Sequence, residues 1–213
     1  MPTNPLESKR TFDVADLEPI QSYKLGTGLI VPRPIGWIGT VSSDGVRNLA
    51  PYSFFNVVAM HPPTFVVAPV NVGRKDTLTN IEQTGVFSVN VVTEETVEAM
   101  NATAETLDAD VDEFAHVGLT AIPCETSEAP MVGEAVANFE CTMTQMVPVG
   151  HSSEEGAGTG MLIIGEANRI HISERVLSDE LRIDQHELRA VGRHVGNAYT
   201  RTADSLFEIE RPV

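Results

Sequence analysis

Alternation with a period of two dominates the first half of the chain. Ile35 to Val41 reads as a strand, Ser42-Ser43-Asp44-Gly45 as a tight turn, and Val46 to Leu49 as the returning strand of a hairpin. Thr64 to Val70 and Val86 to Val92 are compact apolar runs rich in β-branched residues, the pattern of buried strands. Between them Asp76 reads as a helix N-cap, Leu78 and Ile81 begin an apolar stripe, and Gly85 is placed to end the helix. A second helix is predicted to open at Thr93. Glu94 and Glu95 then lie in its first turn, where carboxylates suit the helix dipole, with Val97 and Met100 facing inward.

In the later half, Asn138 to Met146 alternates, with Phe139, Cys141 and Met143 on one face and Glu140, Thr142 and Thr144 on the other. Met161 to Ile172 is another long strand candidate, in which Gly165 marks a bulge or sharp bend. His151 to Gly160 reads as a mobile loop, Ser178 to Leu188 as helical or irregular, and Leu206 to Ile209 as a short extended piece. Several short strands with turn signals and a few helices predict a mainly β fold, a closed or partly closed barrel with helical additions. A parallel doubly wound sheet fits less well, because the early strands are joined by a tight turn rather than by helices. With no repeat and no linker, one domain is expected over 1–213, an arm of about 1–25 and an extension of about 175–213 packed on it.

Composition narrows the function classes. The net charge is −16, from 14 basic and 30 acidic residues, which argues against nucleic acid or an anionic membrane as partner. No apolar run approaches the ~18 residues of a membrane span. Residues Met1 to Phe12 lack the order of a signal peptide, so a cytoplasmic location is expected. Cys124 and Cys141, the only cysteines, are expected to be reduced, Cys141 as a small core residue. Asp108, Asp110, Asp112 and Glu113 read as a solvated loop, lacking the glycine and terminal glutamate of an EF-hand. His61, His116, His151, His171, His186 and His194 show no metal spacing, and no metal is expected.

Two segments carry candidate chemistry. Arg74-Lys75-Asp76-Thr77 puts a guanidinium fork, a point charge and a hydroxyl at a helix start, which suits a phosphate dianion; the alternative is a solvated turn. In Ala50-Pro51-Tyr52-Ser53-Phe54-Phe55-Asn56, Pro51 is expected to end the strand. The non-helical stretch beyond it has amides that need partners in the protein or in a ligand. Ser53 and Asn56 could bond a ring edge while the aromatics wall it; alternatively the aromatics are core. Gly192-Arg193-His194-Val195-Gly196-Asn197-Ala198-Tyr199 reads as a loop facing something flat or anionic, or as a satisfied surface loop.

Taken in order, these segments resemble the flavin reductase-like family of FMN-binding split-barrel proteins. The match runs through Val31-Pro32-Arg33-Pro34-Ile35-Gly36-Trp37, Thr40, Asp44-Gly45 and Asn48 to Asn56. It continues through His61-Pro62-Pro63, Arg74 to Thr77 with Asn80, Gly165-Glu166, and Gly192-Arg193 with Tyr199. The resemblance implies a six-stranded split β-barrel of Greek-key type, a homodimer, and FMN near the subunit interface, with FAD possible. Carried over by position, Thr40, Val41 and Ser42, with Ala50, Pro51, Tyr52 and Ser53, would flank the isoalloxazine, and Asn56 belongs to the same matched segment. Ser53, Arg74, Lys75 and Thr77, beside Asp76, would take the ribityl phosphate.

The implied activity is NAD(P)H-dependent flavin reduction, with hydride passing from nicotinamide to flavin N5 and a monooxygenase as possible recipient of reduced flavin. No acid–base dyad is required, and His194 is the one side chain singled out as a proton donor to test. Reductase components often carry Gly-Asp-His before the Gly-Glu strand, where this chain reads Gly158-Thr159-Gly160. That departure keeps open a flavin-binding or electron-transfer module without its own nicotinamide chemistry. A deazaflavin or haem protein on the same barrel is the remaining alternative.

Overall fold

The computed structural model describes residues 8–69, 75–150 and 160–212. Arg74 and the loop expected between 151 and 159 lie outside them. Strand β1 spans Gly36–Val41, β2 Arg47–Tyr52, β3 Phe55–Met60, β4 Pro63–Val67 and β5 Val86–Val91. After β6 (Ala121–Pro123) and β7 (Pro130–Val132) come the long strands β8 (Ala137–Val149) and β9 (Gly160–Ile172). The short hairpin β10 (Val191–Arg193) and β11 (Tyr199–Arg201) follows. The α-helices are α1 (Pro19–Leu29), α2 (Asp76–Thr84), α3 (Val97–Ala102), α4 (Glu113–Val117) and α5 (Gln185–Leu188).

Seven strands form the main sheet in the order β2-β1-β5-β8-β9-β4-β3. Its two edge strands are neighbours in sequence, joined only by Ser53 and Phe54. Two residues cannot cross a flat sheet of this width, so the sheet curls until its edges approach. The aromatic ring of Phe55 packs so tightly on β1 that a Cβ on Gly36 would lie 2.5 Å from its Cδ2. The result is a split barrel, as expected. Its main sheet has seven strands where the resemblance implies six, with Phe55–Met60 as one edge strand.

Ile38, Phe65, Val67, Ile81, Phe87, Val89, Cys141 and Ile163 form one buried cluster. A second contains Trp37, Leu49, Val92, Met100, Phe114 and Val132. All six residues of β1 are buried, because it is covered on both sides. Helix α2 carries the chain from β4 to β5 and packs on β1 through Ile81, and Gly85 ends it at φ 74°. Gly165 is required by close approach, since a Cβ there would lie 2.4 Å from the Phe87 ring. The register shifts opposite Gly165, between Met143 and Gln145 on β8, and again between Glu140 and Cys141, where Asn168 is the extra residue on β9.

Several expectations need correction. Pro51 does not end β2; it pairs with Trp37, and β2 is an edge strand, where a missing donor is tolerated. Helix α2 is capped by position at Lys75, so Asp76 is its first residue rather than its cap. Glu94 and Glu95 precede α3, and their carboxylates pair with Arg189, Arg201 and Arg175. The Gly192–Tyr199 loop is a β-hairpin with its turn at 194–198, and Leu206–Ile209 forms no strand. The acidic stretch is structural at its end: Asp112 caps α4 and pairs with Arg47 at 2.6 Å, while buried Glu113 accepts from the Leu49 amide at 3.1 Å.

Glu140, on the polar side of its strand by alternation, is fully buried. Its carboxylate accepts from the amides of Glu125 (2.9 Å) and Thr126 (2.7 Å), from the Thr126 hydroxyl, and pairs with His171 at 2.7 Å. Burial alone would raise its pKa, but these partners hold it at about 2, below the ordinary 4.5. A depressed folded value means that Glu140 stabilises the protein above pH 4.5 and that this is lost as pH falls toward 2. Glu140→Gln should therefore cost about 1–3 kcal/mol at neutral pH. The difference from the unmodified protein should shrink on acidification, as urea titrations at neutral and acidic pH will read out.

Candidate functional site

Strand β2 and the start of α2 meet at the seam of the barrel. Asn48, Ala50 and Tyr52 share one face of β2 by the two-residue period, and α2 lies against β1 and β2. A buried polar network fixes this junction. Asn48 Nδ2 donates to Thr40 Oγ1 and to Thr77 Oγ1, each at 3.0 Å, and Asn80 Nδ2 donates to Thr40 Oγ1 at 3.1 Å. The four side chains are all buried, so the network sets the position of α2 on the sheet.

Beside this junction lies a cavity of about 300 Å³. Ala50, Pro51, Tyr52, Ser53, Lys75, Asp76 and Thr77 all line it, so the two segments singled out in the sequence converge. Thr40 sits one layer behind, through the network. Val41 and Ser42 do not line the cavity: Val41 is buried, and the Ser42 hydroxyl accepts the Val46 amide at 3.1 Å to close the β1–β2 turn. Asn56 is not part of the lining either, and its side chain accepts the Val57 amide at 2.9 Å. Tyr23, Ala68, residues 103–107 and Glu113 complete the walls. Sequence patterning carried no signal for 103–107, which follow α3 as irregular chain, whereas Asn48 was readable from the alternation of β2.

The electrostatics are divided. Among the described residues no side chain caps the N-terminus of α2, and Lys75 occupies its cap position. Asp76, Glu105 and Glu113 line the same cavity. Burial raises the pKa of Glu113, with the Leu49 amide opposing. Tyr52 is pushed up to about 12, chiefly by burial and then by the charges of Asp76 and Glu113, while a hydrogen bond from Thr77 holds it lower. Its phenol therefore stays protonated at physiological pH and can donate. The Ser53 hydroxyl accepts from Arg33 Nε at 3.2 Å, which leaves its own proton for a ligand.

Pro51, Tyr52 and Ser53 also wall a second cavity of about 620 Å³, bounded by α1, α3 and the β10–β11 hairpin. His194 lies here and not in the first cavity; its backbone carbonyl accepts from Arg33 at 3.1 Å. Among the described residues no cluster of three or more His, Cys, Asp or Glu could hold a metal. No helix among them is long and apolar enough to cross a membrane.

The family model of the flavin reductase like domain matches residues 28–192, and the chain belongs to the flavin reductase-like family. An uncharacterized protein of Aquifex aeolicus is 38% identical over 193 residues, 89% of this chain and 94% of that protein. Among solved structures, nitrilotriacetate monooxygenase component B from Bacillus cereus is 34% identical with a TM-score of 0.88, covering 95% of this chain and 99% of that one. The 2-nitrobenzoate 2-nitroreductase of Pseudomonas fluorescens is 29% identical with a TM-score of 0.83, over 95% and 96% of the two chains.

Thr77→Val should remove one acceptor from the buried Asn48 amide and one donor from Tyr52, at a cost of about 1–3 kcal/mol. Thr77→Ser should restore most of it. Chemical denaturation of the two variants checks the ordering.

Proposed function

We propose that the chain binds FMN in the first cavity and serves as an NAD(P)H-dependent flavin oxidoreductase. The observation that carries this is the convergence of Lys75 and the start of α2 with the Ala50–Ser53 segment on one cavity. The donor set fits the group. Helix-start amides and a lysine suit a phosphate monoester, and the β2 segment with the Ser53 and Tyr52 hydroxyls suits the polar edge of a flat ring. This end-on anion site favours FMN over FAD.

When bound, the flavin supplies the redox chemistry, accepting hydride at N5 from a reduced nicotinamide. The protein's part is to position and to stabilise charge. Lys75 would offset the phosphate, and Ser53 and the neutral Tyr52 phenol, its pKa raised to about 12 by burial, would be placed to donate to ring oxygens. Membership of the family and the likeness to a monooxygenase component support a role in delivering reduced flavin to a monooxygenase partner. A homodimer is part of this proposal, in keeping with the exposed Val58 and Met60 on edge strand β3.

A second reading, a flavin-binding electron-transfer module, is favoured by Gly158-Thr159-Gly160 standing where reductase components carry Gly-Asp-His. Stopped-flow mixing of FMN-loaded protein with NADH or NADPH separates the two. Bleaching of the flavin band within the turnover time supports the oxidoreductase, and reduction by dithionite alone supports the module.

Lys75→Ala should weaken FMN by about 10- to 100-fold while leaving riboflavin nearly unchanged, since one charge-assisted bond is worth roughly 1.5–3 kcal/mol. Fluorescence titration of both ligands measures this. Equal weakening of both would place the phosphate elsewhere.

A further inference from the structure

The second cavity has a charge pattern opposite to that of the molecule. The chain carries a net charge of −16, yet Lys24, Arg33, Arg193 and His194 line this cavity, with no aspartate or glutamate among the described lining residues. The first cavity has three carboxylates against Lys75. Elsewhere arginines find acidic partners: Arg47 with Asp112, Arg175 with Glu95, and Arg189 and Arg201 with Glu94. Arg33 and Arg193 form no such pair among the described residues.

Arg33 is 7% exposed. Its guanidinium donates to neutral oxygens only: the carbonyls of Thr27 (2.7 Å), Ile30 (3.0 Å) and His194 (3.1 Å), and Ser53 Oγ (3.2 Å). Those bonds satisfy its donors without cancelling its charge, so an anion nearby is favoured by an interaction that water screens little. Arg193 is held ready. Its guanidinium lies 4.5 Å from the centroid of the Tyr199 ring and donates to the Gly196 carbonyl, and Tyr199 Oη bonds Asn101 Oδ1 at 3.0 Å. The hairpin is fixed by reciprocal backbone bonds between Arg33 and Arg193, at 2.9 and 2.8 Å. A Cβ on Gly192 would lie 2.7 Å from that of Pro32, so only glycine allows this approach. Ile20, Ile35, Met100 and Val195 give the cavity an apolar side.

We propose that the second cavity binds an anionic, planar second ligand whose carboxylate or phosphate is held by Arg193 and Lys24 and faced by the buried charge of Arg33. The shared Pro51–Ser53 wall sets this ligand beside whatever the first cavity holds. Naming it a co-substrate rests on the flavin reading above; the charge argument does not.

Titration calorimetry on the FMN-loaded protein and on flavin-free protein tests this with two matched pairs. One is benzoate against benzamide; the other is oxidised nicotinamide mononucleotide against nicotinamide riboside, which lacks only the phosphate and, like its partner, cannot reduce the flavin. In at least one pair the anion should bind about tenfold more tightly, and high salt should reduce the gap. A preference confined to benzoate makes the ligand an aromatic acid, and one confined to the mononucleotide makes it a nicotinamide nucleotide. Preference in both assigns the cavity to the anionic group itself. The double variant Lys24→Gln/Arg193→Gln should abolish the preference while FMN affinity stays the same. Lys24→Gln alone, on the surface of α1, should remove part of it with no effect on the hairpin. Equal affinities within both pairs, no binding at all, or a preference that survives the double variant would overturn the proposal. Failure to retain FMN would count against the flavin reading alone, because the same preference is read on flavin-free protein.

Discussion

The two-residue link between β2 and β3 is the constraint from which the rest follows. Those strands occupy opposite edges of the seven-stranded sheet, yet Ser53 and Phe54 alone connect them. Such a link can be made only if the sheet closes on itself, and closure brings a two-residue bend with the Ser53 hydroxyl to the seam of the barrel. The amide of Ala68, just past β4, donates to the Phe54 carbonyl at 2.8 Å and holds the bend down. Both cavities open on this seam, sharing Pro51, Tyr52 and Ser53. The site is thus a by-product of barrel closure, placed where strand pairing runs out and side chains of different elements meet.

Much of this was legible in the sequence. The turn at 42–45, the apolar runs of β4 and β5, and the helix ending at Gly85 follow local rules, and local rules survive into the structure. The convergence of Ala50–Ser53 with Lys75–Thr77 was readable only through resemblance, because nothing in one chain states which loops meet. Errors fell where tertiary context overrode a local rule. Pro51 stayed within a strand because the strand is an edge, and Glu140 was buried because a neighbouring loop supplies its donors. Ser42 and Asn56 looked like ligand donors but are committed to backbone amides next to them.

Charge distinguishes the two cavities more clearly than shape does. The first mixes a lysine and a helix start with three carboxylates, one of them, Glu113, held by the Leu49 amide. The second gathers cations that the acidic surface elsewhere would have neutralised. A single wall with opposite electrostatic surroundings on its two sides would orient two flat molecules differently, although each meets the same tyrosine and serine. Proximity of two rings then depends on rigid placement of Pro51–Ser53, which the sheet on one flank and Arg33 on the other provide.

Arg33 has a further consequence, for the order in which the protein assembles. Its donors reach the Thr27 and Ile30 carbonyls nearby in sequence, but also that of His194, 161 residues away. During synthesis the guanidinium emerges long before that distant acceptor exists. Docking of the hairpin adds the His194 acceptor to those at Thr27, Ile30 and Ser53 and completes the larger chamber. A nascent chain halted before the hairpin would own a barrel and its first cavity, but only half of the second.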